Sequence, residues 1–159
     1  MTRNIFATTL VIAIVIAAGS VMCVGQEGKG GGRLAGTWDA VVQIKNCQDG
    51  TVLNTFASIA SFNQGGTSIG STSGIPQSLR TPEHGIWRHV NGNIYQFKFK
   101  SFNFNATGQP TGYAIVEHEI TLNESADAYY SEGTAKFFLL NGTQVGQGCS
   151  DAVGTRMTF

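Results

Sequence analysis

The feature that most limits what this chain can fold into is a repeated alternation of apolar and polar residues in short segments. In TWDAVVQIK, Trp38, Ala40, Val42 and Ile44 fall on one face, and Asp39 falls on the other. A period of two is typical of a half-buried β-strand. No stretch of the folded part shows a helical period of convincing length. The sequence therefore predicts an all-β fold.

Glycine turns separate these segments and set their order. The chain has 159 residues, which fits one domain, and it contains 21 glycines but only 3 prolines. Tight turns such as NGN at 91–93 join neighbouring segments, as in antiparallel hairpins. An open meander of about eight or nine strands would expose two edges. We therefore predict a closed antiparallel up-and-down barrel of about eight strands, with a two-sheet β-sandwich as the alternative.

The most aromatic strand changes face part of the way along. In IYQFKFKSFNF, the aromatic residues up to Phe99 share one face, whereas Phe102 and Phe104 fall on the other. A β-bulge adds one residue to a strand and so restores the face. We expect a bulge near Lys100 and Ser101, which would return every aromatic ring to one side.

The N-terminus has the layout of a secretory signal peptide. Arg3 precedes an apolar stretch, 5–18, and small residues follow it. We predict a signal peptide over 1–24, a flexible glycine-rich linker over 25–33 and a single β-barrel domain over 34–159. The predicted location is secreted or periplasmic.

Two other interpretations of the N-terminus remain open. The uncharged segment from Asn4 to Gln26 is long enough to span a membrane as an uncleaved anchor. Alternatively, Cys23 carries a lipid. After signal cleavage we expect no membrane span. We also expect no nucleic-acid partner, because ten basic and ten acidic residues give zero net charge and no basic run lies outside the first residues.

Two cysteines remain after signal removal, and barrel closure predicts that they pair. Cys47 ends the first strand, and Cys149 lies shortly before the final one. Closure brings these regions together, and an exported protein permits a disulfide. A loop of this length gives a stabilisation of about 4–5 kcal/mol in the chain-entropy model. Two unpaired thiols are the alternative.

Gly36-Thr37-Trp38 resembles the start of the first barrel strand in calycins, the lipocalin and avidin type of barrel. The resemblance implies that Gly36 and Trp38 form the barrel base, with the tryptophan packed across one end. The barrel is similar in size to avidins, although the biotin-contacting residues of avidins have no counterpart here. Over most of the folded part, the chain is similar to uncharacterised secreted bacterial proteins with NC after the first strand, HG-x-W and a late GC.

The predicted inward faces supply the candidate ligand-binding residues, with the loop SGIPQSLRTPEHG as a candidate lid. These residues are Tyr95, Phe97, Phe99, His118 and Phe137. Their rings either line a hydrophobic cavity or fill the core, because a barrel of about eight strands can do either. The sequence leaves that choice open.

His118 is the candidate for chemistry, because in VEHEI it points to the apolar side while Glu117 and Glu119 point to the other. There it orients a ligand, acts as a general base, or bonds water at the barrel mouth. The spacing of His84, His89 and His118 matches no ligand motif, so we expect no metal and no cofactor.

The leading functional hypothesis is an exported, non-enzymatic barrel that binds a small apolar ligand or a partner. One alternative is a small secreted isomerase or cyclase that uses the barrel pocket, with His118 as the base. Another is a ligand-free envelope or assembly protein whose outer face makes an oligomer.

Overall fold

The structure is a computed structural model that describes residues 32–159. The predicted signal peptide, 1–24, and with it Cys23, lie outside the described residues, as does most of the predicted linker. Within residues 32–159, no helix is both long and apolar enough to cross a membrane.

Eight antiparallel strands follow one another in chain order around a closed barrel. They are β1 (Gly36–Lys45), β2 (Val52–Asn63), β3 (Thr67–Thr72), β4 (Glu83–Asn91), β5 (Ile94–Phe104), β6 (Pro110–Leu122), β7 (Ala128–Leu139) and β8 (Gln144–Arg156). A short 3₁₀ helix, Gln77–Leu79, lies in the connection from β3 to β4. The predicted up-and-down barrel is confirmed, and the sandwich alternative is wrong. QVGQGC and GTR belong to one continuous strand, so the strand count is eight rather than nine.

The barrel closes where its first and last strands pair. Their register runs from Trp38 opposite Arg156 to Lys45 opposite Cys149. Cys47 lies two residues beyond the end of β1, and its Cα is 5.2 Å from that of Cys149, to which it is joined by a disulfide. The predicted pairing of the cysteines is therefore confirmed, and the bridge fastens the two strands at one end of the seam.

The predicted bulge in β5 is wrong in position. Pairing with β6 continues past Lys100 and Ser101, and the register shifts only between Asn103 and Phe104. Ser101 consequently takes an inward, fully buried place, whereas the ring of Phe102 lies outside and is 43% exposed. The ammonium of Lys100 is 4.9 Å from the centre of that ring. The same ammonium is 3.9 Å from the centre of the Tyr113 ring, so it makes cation–π contacts with two outward rings.

The hydrophobic core fills one end of the barrel, which we call the base. Trp38 is fully buried there, and its indole N–H donates to the carbonyl of Leu34 at 3.0 Å. The edge of Trp38 meets the ring of Tyr129, with ring centres 5.0 Å apart. The buried residues of this cluster are Leu34, Trp38, Ala40, Phe62, Tyr95, Ile120, Leu122 and Tyr129. The base is therefore packed with large side chains and closes the barrel at this end.

Arg156, at the end of β8, covers the base from outside. Its guanidinium carbon lies 4.3 Å from the centre of the Trp38 ring, which is a cation–π distance. Its Nε donates to the carbonyl of Ala126 at 2.6 Å, and its Nη1 donates to the carbonyl of Ala35 at 2.7 Å. Gly36 has a φ of 136°, and a Cβ at this position would strike the same guanidinium. These contacts explain why glycine precedes the tryptophan at the base.

Candidate functional site

The barrel is hollow above its base because the inward positions there carry small side chains. β8 contributes Ser150 and Ala152, β7 contributes Ser131 and Ala135, and β1 contributes Ala40. An eight-stranded barrel is only just wide enough for ordinary side chains to fill it. Small side chains therefore leave space, and the structure has an internal cavity of about 280 Å³.

Aromatic and aliphatic side chains form most of the rest of the cavity wall. Phe97 and Phe99 lie on β5 with nearly parallel rings, 6.0 Å apart between centres. Val116 continues this apolar wall onto β6, and Tyr129 and Phe62 separate the cavity from the base. Burial raises the pKa of Tyr129 to about 12, so this phenol is neutral at every ordinary pH. Tyr129 therefore adds no charge to the cavity floor.

The cavity reaches the opposite end of the barrel, where its rim is partly exposed. Phe137 lines the cavity and is 39% exposed. Gly74 and Ile75, from the β3–β4 connection, also line it. This connection is attached to the wall, since Gln77 donates to the carbonyl of Thr72 at 2.8 Å. The candidate lid predicted from the sequence thus lies at the open end.

His118 is a buried polar group in the cavity wall, where two serines hold its ring. Its Nδ1 is 3.1 Å from Ser131 Oγ, and its Nε2 is 2.9 Å from Ser150 Oγ. Burial lowers the pKa of His118 to about 4, opposed by the nearby Asp151 carboxylate. The imidazole is therefore neutral at pH 7. One nitrogen donates to a serine oxygen, and the other accepts a serine hydroxyl proton.

A second polar group in the wall, which we call the Arg80 cluster, consists of Arg80, Glu83, Ser101 and Asn103. Arg80 Nη2 lies 2.9 Å from a Glu83 carboxylate oxygen, and its Nε donates to Ser101 Oγ at 2.9 Å. Both charged side chains are about nine-tenths buried, at 11% and 10% exposed. Burial raises the pKa of Glu83, and the Arg80 cation opposes that rise. The pair thus places two compensating charges in the cavity wall.

Asn103 lies beside this ion pair. Its backbone forms an isolated bridge with Arg80, and Asn103 is one of the residues that line the cavity. The side-chain oxygen, Oδ1, is buried, and no donor in residues 32–159 bonds to it. A buried acceptor without a partner is costly, so a donor that reached this oxygen would be stabilised.

The structure brings four of the five predicted ligand-binding residues to the cavity: Phe97, Phe99, His118 and Phe137. Tyr95, the fifth of them, lies elsewhere. It is not among the cavity-lining residues, and it lies fully buried in the base cluster instead. The alternating pattern correctly predicted that the side chain of Tyr95 points inward. Whether an inward side chain lies in the cavity or in the base depends on its distance along the strand from the base. Tyr95 is the inward residue of β5 nearest that end.

Sequence reasoning did not find the Arg80 cluster or the two serines beside His118. Ser131 and Ser150 could have been found, because alternation places them on the inward faces of their strands. Arg80 precedes β4 in an irregular connection, where no period indicates a direction. Only the folded chain shows that its side chain enters the barrel.

The outward faces of the strands carry charges of both signs. Lys98 and Glu117 pair across β5 and β6 at 2.6 Å on the exposed surface, and the lysine lowers the pKa of Glu117. Within the described part of the chain, no group of three or more histidine, cysteine, aspartate and glutamate side chains is arranged to hold a metal ion.

A search of protein-family models, of curated proteins and of solved structures finds nothing that matches this chain. The fold and the cavity therefore define its class: a closed, eight-stranded, antiparallel β-barrel with a hollow interior. This architecture is consistent with a calycin-like barrel. The Cys47–Cys149 disulfide is compatible with an extracellular or periplasmic location.

Proposed function

We propose that this protein is an exported, calycin-like barrel that binds one small, mainly apolar molecule inside the cavity. The observation that carries the proposal is the cavity itself, about 280 Å³ in volume, closed by the packed base and opening at the other end. The signal-like N-terminus, the Gly36-Thr37-Trp38 motif and the disulfide support export and the calycin type.

The volume sets the size of the ligand. A cavity of roughly 150 Å³ lined by apolar side chains holds benzene. The cavity here, at about 280 Å³, has nearly twice that volume. It fits two fused rings or a medium-length chain, and it lies near the lower end of ordinary ligand sites. Naphthalene is therefore a suitable first probe.

The geometry favours binding over the enzymatic alternative. Both ring nitrogens of His118 already have a serine partner. The ring would have to release a serine before it accepted a substrate proton, and its pKa of about 4 makes it a weak base at pH 7. An isomerase or cyclase based on His118 is therefore the less favoured function.

A titration with naphthalene tests the proposal. The affinity of the unsubstituted protein is compared with that of a variant whose added side chain fills the cavity. Gly148 alternates with Ser150 along β8 and pairs with Ala135, both of which line the cavity. A Cβ added at Gly148 meets no atom within 4 Å. The Gly148→Leu variant therefore places a side chain in the open space without a backbone clash. Gln147→Leu adds the same side chain on the exposed outer face of β8.

Calorimetry should show one naphthalene bound per chain in the disulfide-bonded protein and in Gln147→Leu. In Gly148→Leu the affinity should fall at least about tenfold, because the leucine occupies the ligand's volume. The proposal is wrong if the unsubstituted protein does not bind naphthalene, or if Gly148→Leu binds it equally well while keeping its fold by circular dichroism.

A second candidate function, self-assembly, is favoured by an apolar row on the outer face. Tyr130, Val153, Val41 and Ala57 are direct cross-strand neighbours on β7, β8, β1 and β2. The first three are 44%, 58% and 52% exposed. The strands in this row have neighbours on both sides, so contact with a second copy of the chain would use side chains alone. Two copies related by a two-fold axis would place this row against itself.

Light scattering coupled to size exclusion tests this second candidate. If the row joins two copies, Val41→Lys should convert a dimer to a monomer, because a buried unpaired cation is costly. Thr121→Lys, on the exposed outer face of β6, should leave the mass unchanged. A monomeric unsubstituted protein at high concentration would exclude assembly through this face.

A further inference from the structure

The polar groups of the cavity wall define what kind of molecule the cavity accepts, provided that the proposed ligand-binding function is correct. Besides Asn54 and Ser58 of β2, they include two sets of interacting side chains on different strands. His118, Ser131 and Ser150 form one, and the Arg80 cluster forms the other.

The His118 set is already complete. The two serine hydroxyls occupy both ring nitrogens at ordinary hydrogen-bond distances, 3.1 and 2.9 Å. A ligand group would have to displace one of these bonds in order to bind the ring. The set therefore gives the wall a polar but satisfied surface and selects no particular ligand group.

The Arg80 cluster is incomplete at one atom. Arg80 is bonded to Ser101 and paired with Glu83, so its charge is compensated inside the wall. The adjacent Asn103 Oδ1 is buried and accepts no bond from any donor in residues 32–159. An O–H or N–H group arriving with a ligand would give this oxygen the partner that it lacks.

Charge further restricts the ligand. Among the described residues that line the cavity, the two with formally charged side chains are Arg80 and Glu83, and they compensate each other. A carboxylate or an ammonium group would lose its hydration on entry and would meet no uncompensated opposite charge. A neutral polar group loses much less.

We infer that the cavity selects a neutral molecule with an apolar body of about two rings and a hydroxyl group that donates to Asn103 Oδ1. The apolar body lies against Phe97, Phe99 and Val116, and the hydroxyl points to the Arg80 cluster. A hydroxyl suits this place because it can both donate and accept a hydrogen bond. The amide side chain of Asn103 likewise has an acceptor oxygen and a donor NH₂ group.

Three probes with one shared ring system test this inference on the disulfide-bonded protein: naphthalene, 2-naphthol and 2-naphthoate. Their dissociation constants are measured by calorimetry at pH 7 for the unsubstituted protein and for Asn103→Leu. Leucine has nearly the shape of asparagine but cannot accept a hydrogen bond. The informative quantity is the affinity for 2-naphthol divided by the affinity for naphthalene. The two probes differ in hydration free energy, but this difference is the same for both proteins and cancels when their ratios are compared.

The unsubstituted protein should bind 2-naphthol more tightly than 2-naphthoate. Asn103→Leu should lower the 2-naphthol to naphthalene ratio about tenfold, the usual size of one lost hydrogen bond to a buried acceptor, and should change naphthalene affinity by less than about twofold. An unchanged ratio in Asn103→Leu, or tighter binding of 2-naphthoate, overturns the inference while leaving the proposed function in place. If none of the three probes binds the unsubstituted protein, the proposed function fails, and this inference fails with it.

A second measurement needs no substitution and so keeps the test valid if Asn103→Leu fails to fold. The side-chain amide resonances of Asn103 in the unsubstituted protein are followed by NMR during titration. They should shift with 2-naphthol and remain nearly unmoved with naphthalene. Equal shifts with both probes would show that the hydroxyl does not reach this residue.

Discussion

At the scale of the single residue, burial decides the charge state of His118. The imidazole lies in the cavity wall between Ser131 and Ser150, and burial lowers its pKa to about 4. In the unfolded chain a histidine titrates near 6.5. Between these two values the unfolded state binds more protons than the folded state, so stability decreases as the pH falls.

The first prediction follows from this sign. Lowering the pH from about 6.5 to about 4 should reduce the free energy of unfolding of the unsubstituted protein by about 3 kcal/mol more than that of His118→Gln, whose side chain is polar but does not titrate. Urea unfolding at several pH values measures the difference in unfolding free energy between the two proteins. Glu83 contributes to the pH dependence with the opposite sign, but it is present in both proteins, so its contribution cancels. His84→Gln, at an exposed histidine, is the control and should follow the unsubstituted protein. Parallel curves for the protein and His118→Gln would contradict the burial of this ring.

Arg156 stabilises the base of the barrel through several contacts of its guanidinium group. Its guanidinium donates to the carbonyls of Arg33, Ala35 and Ala126 and covers the ring of Trp38. The N-terminal turn, which includes the fully buried Leu34, is held by these bonds. Arg33, the last residue of the predicted linker, donates to Asn93 Oδ1 at 2.7 Å.

The second prediction concerns this cap. Arg156→Met keeps the length of the side chain but removes the donors and the cation. The free energy of unfolding should fall by about 2–3 kcal/mol, because three carbonyls lose a charged partner at a half-exposed site. Arg88→Met, which removes an exposed arginine that bonds Gln96 on the outer face, should cost less than about 1 kcal/mol. Equal losses would show that Arg156 does not hold the base.

At the scale of the element, two glycines on neighbouring strands have opposite roles. A Cβ at Gly133, on β7, would strike the carbonyl of Glu117 and the ring of His118 on β6. A Cβ at Gly148, on β8, would meet nothing. Glycine allows close approach of β6 to β7 in the first case and contributes to the empty volume in the second.

The third prediction compares the two alanine variants. Gly133→Ala should destabilise the protein by about 2 kcal/mol or more, because the clash is with backbone that cannot move freely. Gly148→Ala should be neutral or stabilising by up to about 1 kcal/mol, since it restricts the unfolded chain without strain. Urea unfolding of both variants measures this contrast. A costly Gly148→Ala would mean that the space beside β8 is already filled.

The strands also show which features of the fold could be predicted from the sequence alone. Alternation in β1 and β6 predicted their strands and faces, because a period of two is a local pattern. It also placed Phe102 outward correctly, and only the added bulge, which assumed that every aromatic ring faces one side, was wrong. It could not decide between a filled and a hollow barrel, because cavity volume depends on which small residues meet across strands. The direction of Arg80 depends on tertiary contacts that have no sequence period.

At the scale of the whole molecule, closure joins strands that are far apart in the chain. The pairing of β1 with β8 is the last step of a meander, and the disulfide between Cys47 and Cys149 spans 102 residues. Without the bridge, the unfolded chain gains the freedom of a long open loop. The base core and the seam together keep the barrel closed.

The fourth prediction tests that closure. Replacing both cysteines by alanine should lower the free energy of unfolding by about 4–5 kcal/mol in the chain-entropy model. The folded variant should still show the β-sheet signal in circular dichroism, because the strand pairing does not need the bridge. A loss below about 1 kcal/mol would indicate that the ends of the seam stay close together in the unfolded chain or that the bridge is strained.

A crystal structure under xenon pressure tests the central claim, a hollow barrel closed at its base, most directly. Xenon occupies apolar cavities without needing a specific polar partner. We predict xenon density between β5 and β7, against Phe99, Val116 and Ala135, and none at the packed base around Trp38. The claim would be contradicted by a barrel that holds no xenon and in which the rings of Phe97, Phe99 and Phe137 occupy the space assigned to the cavity.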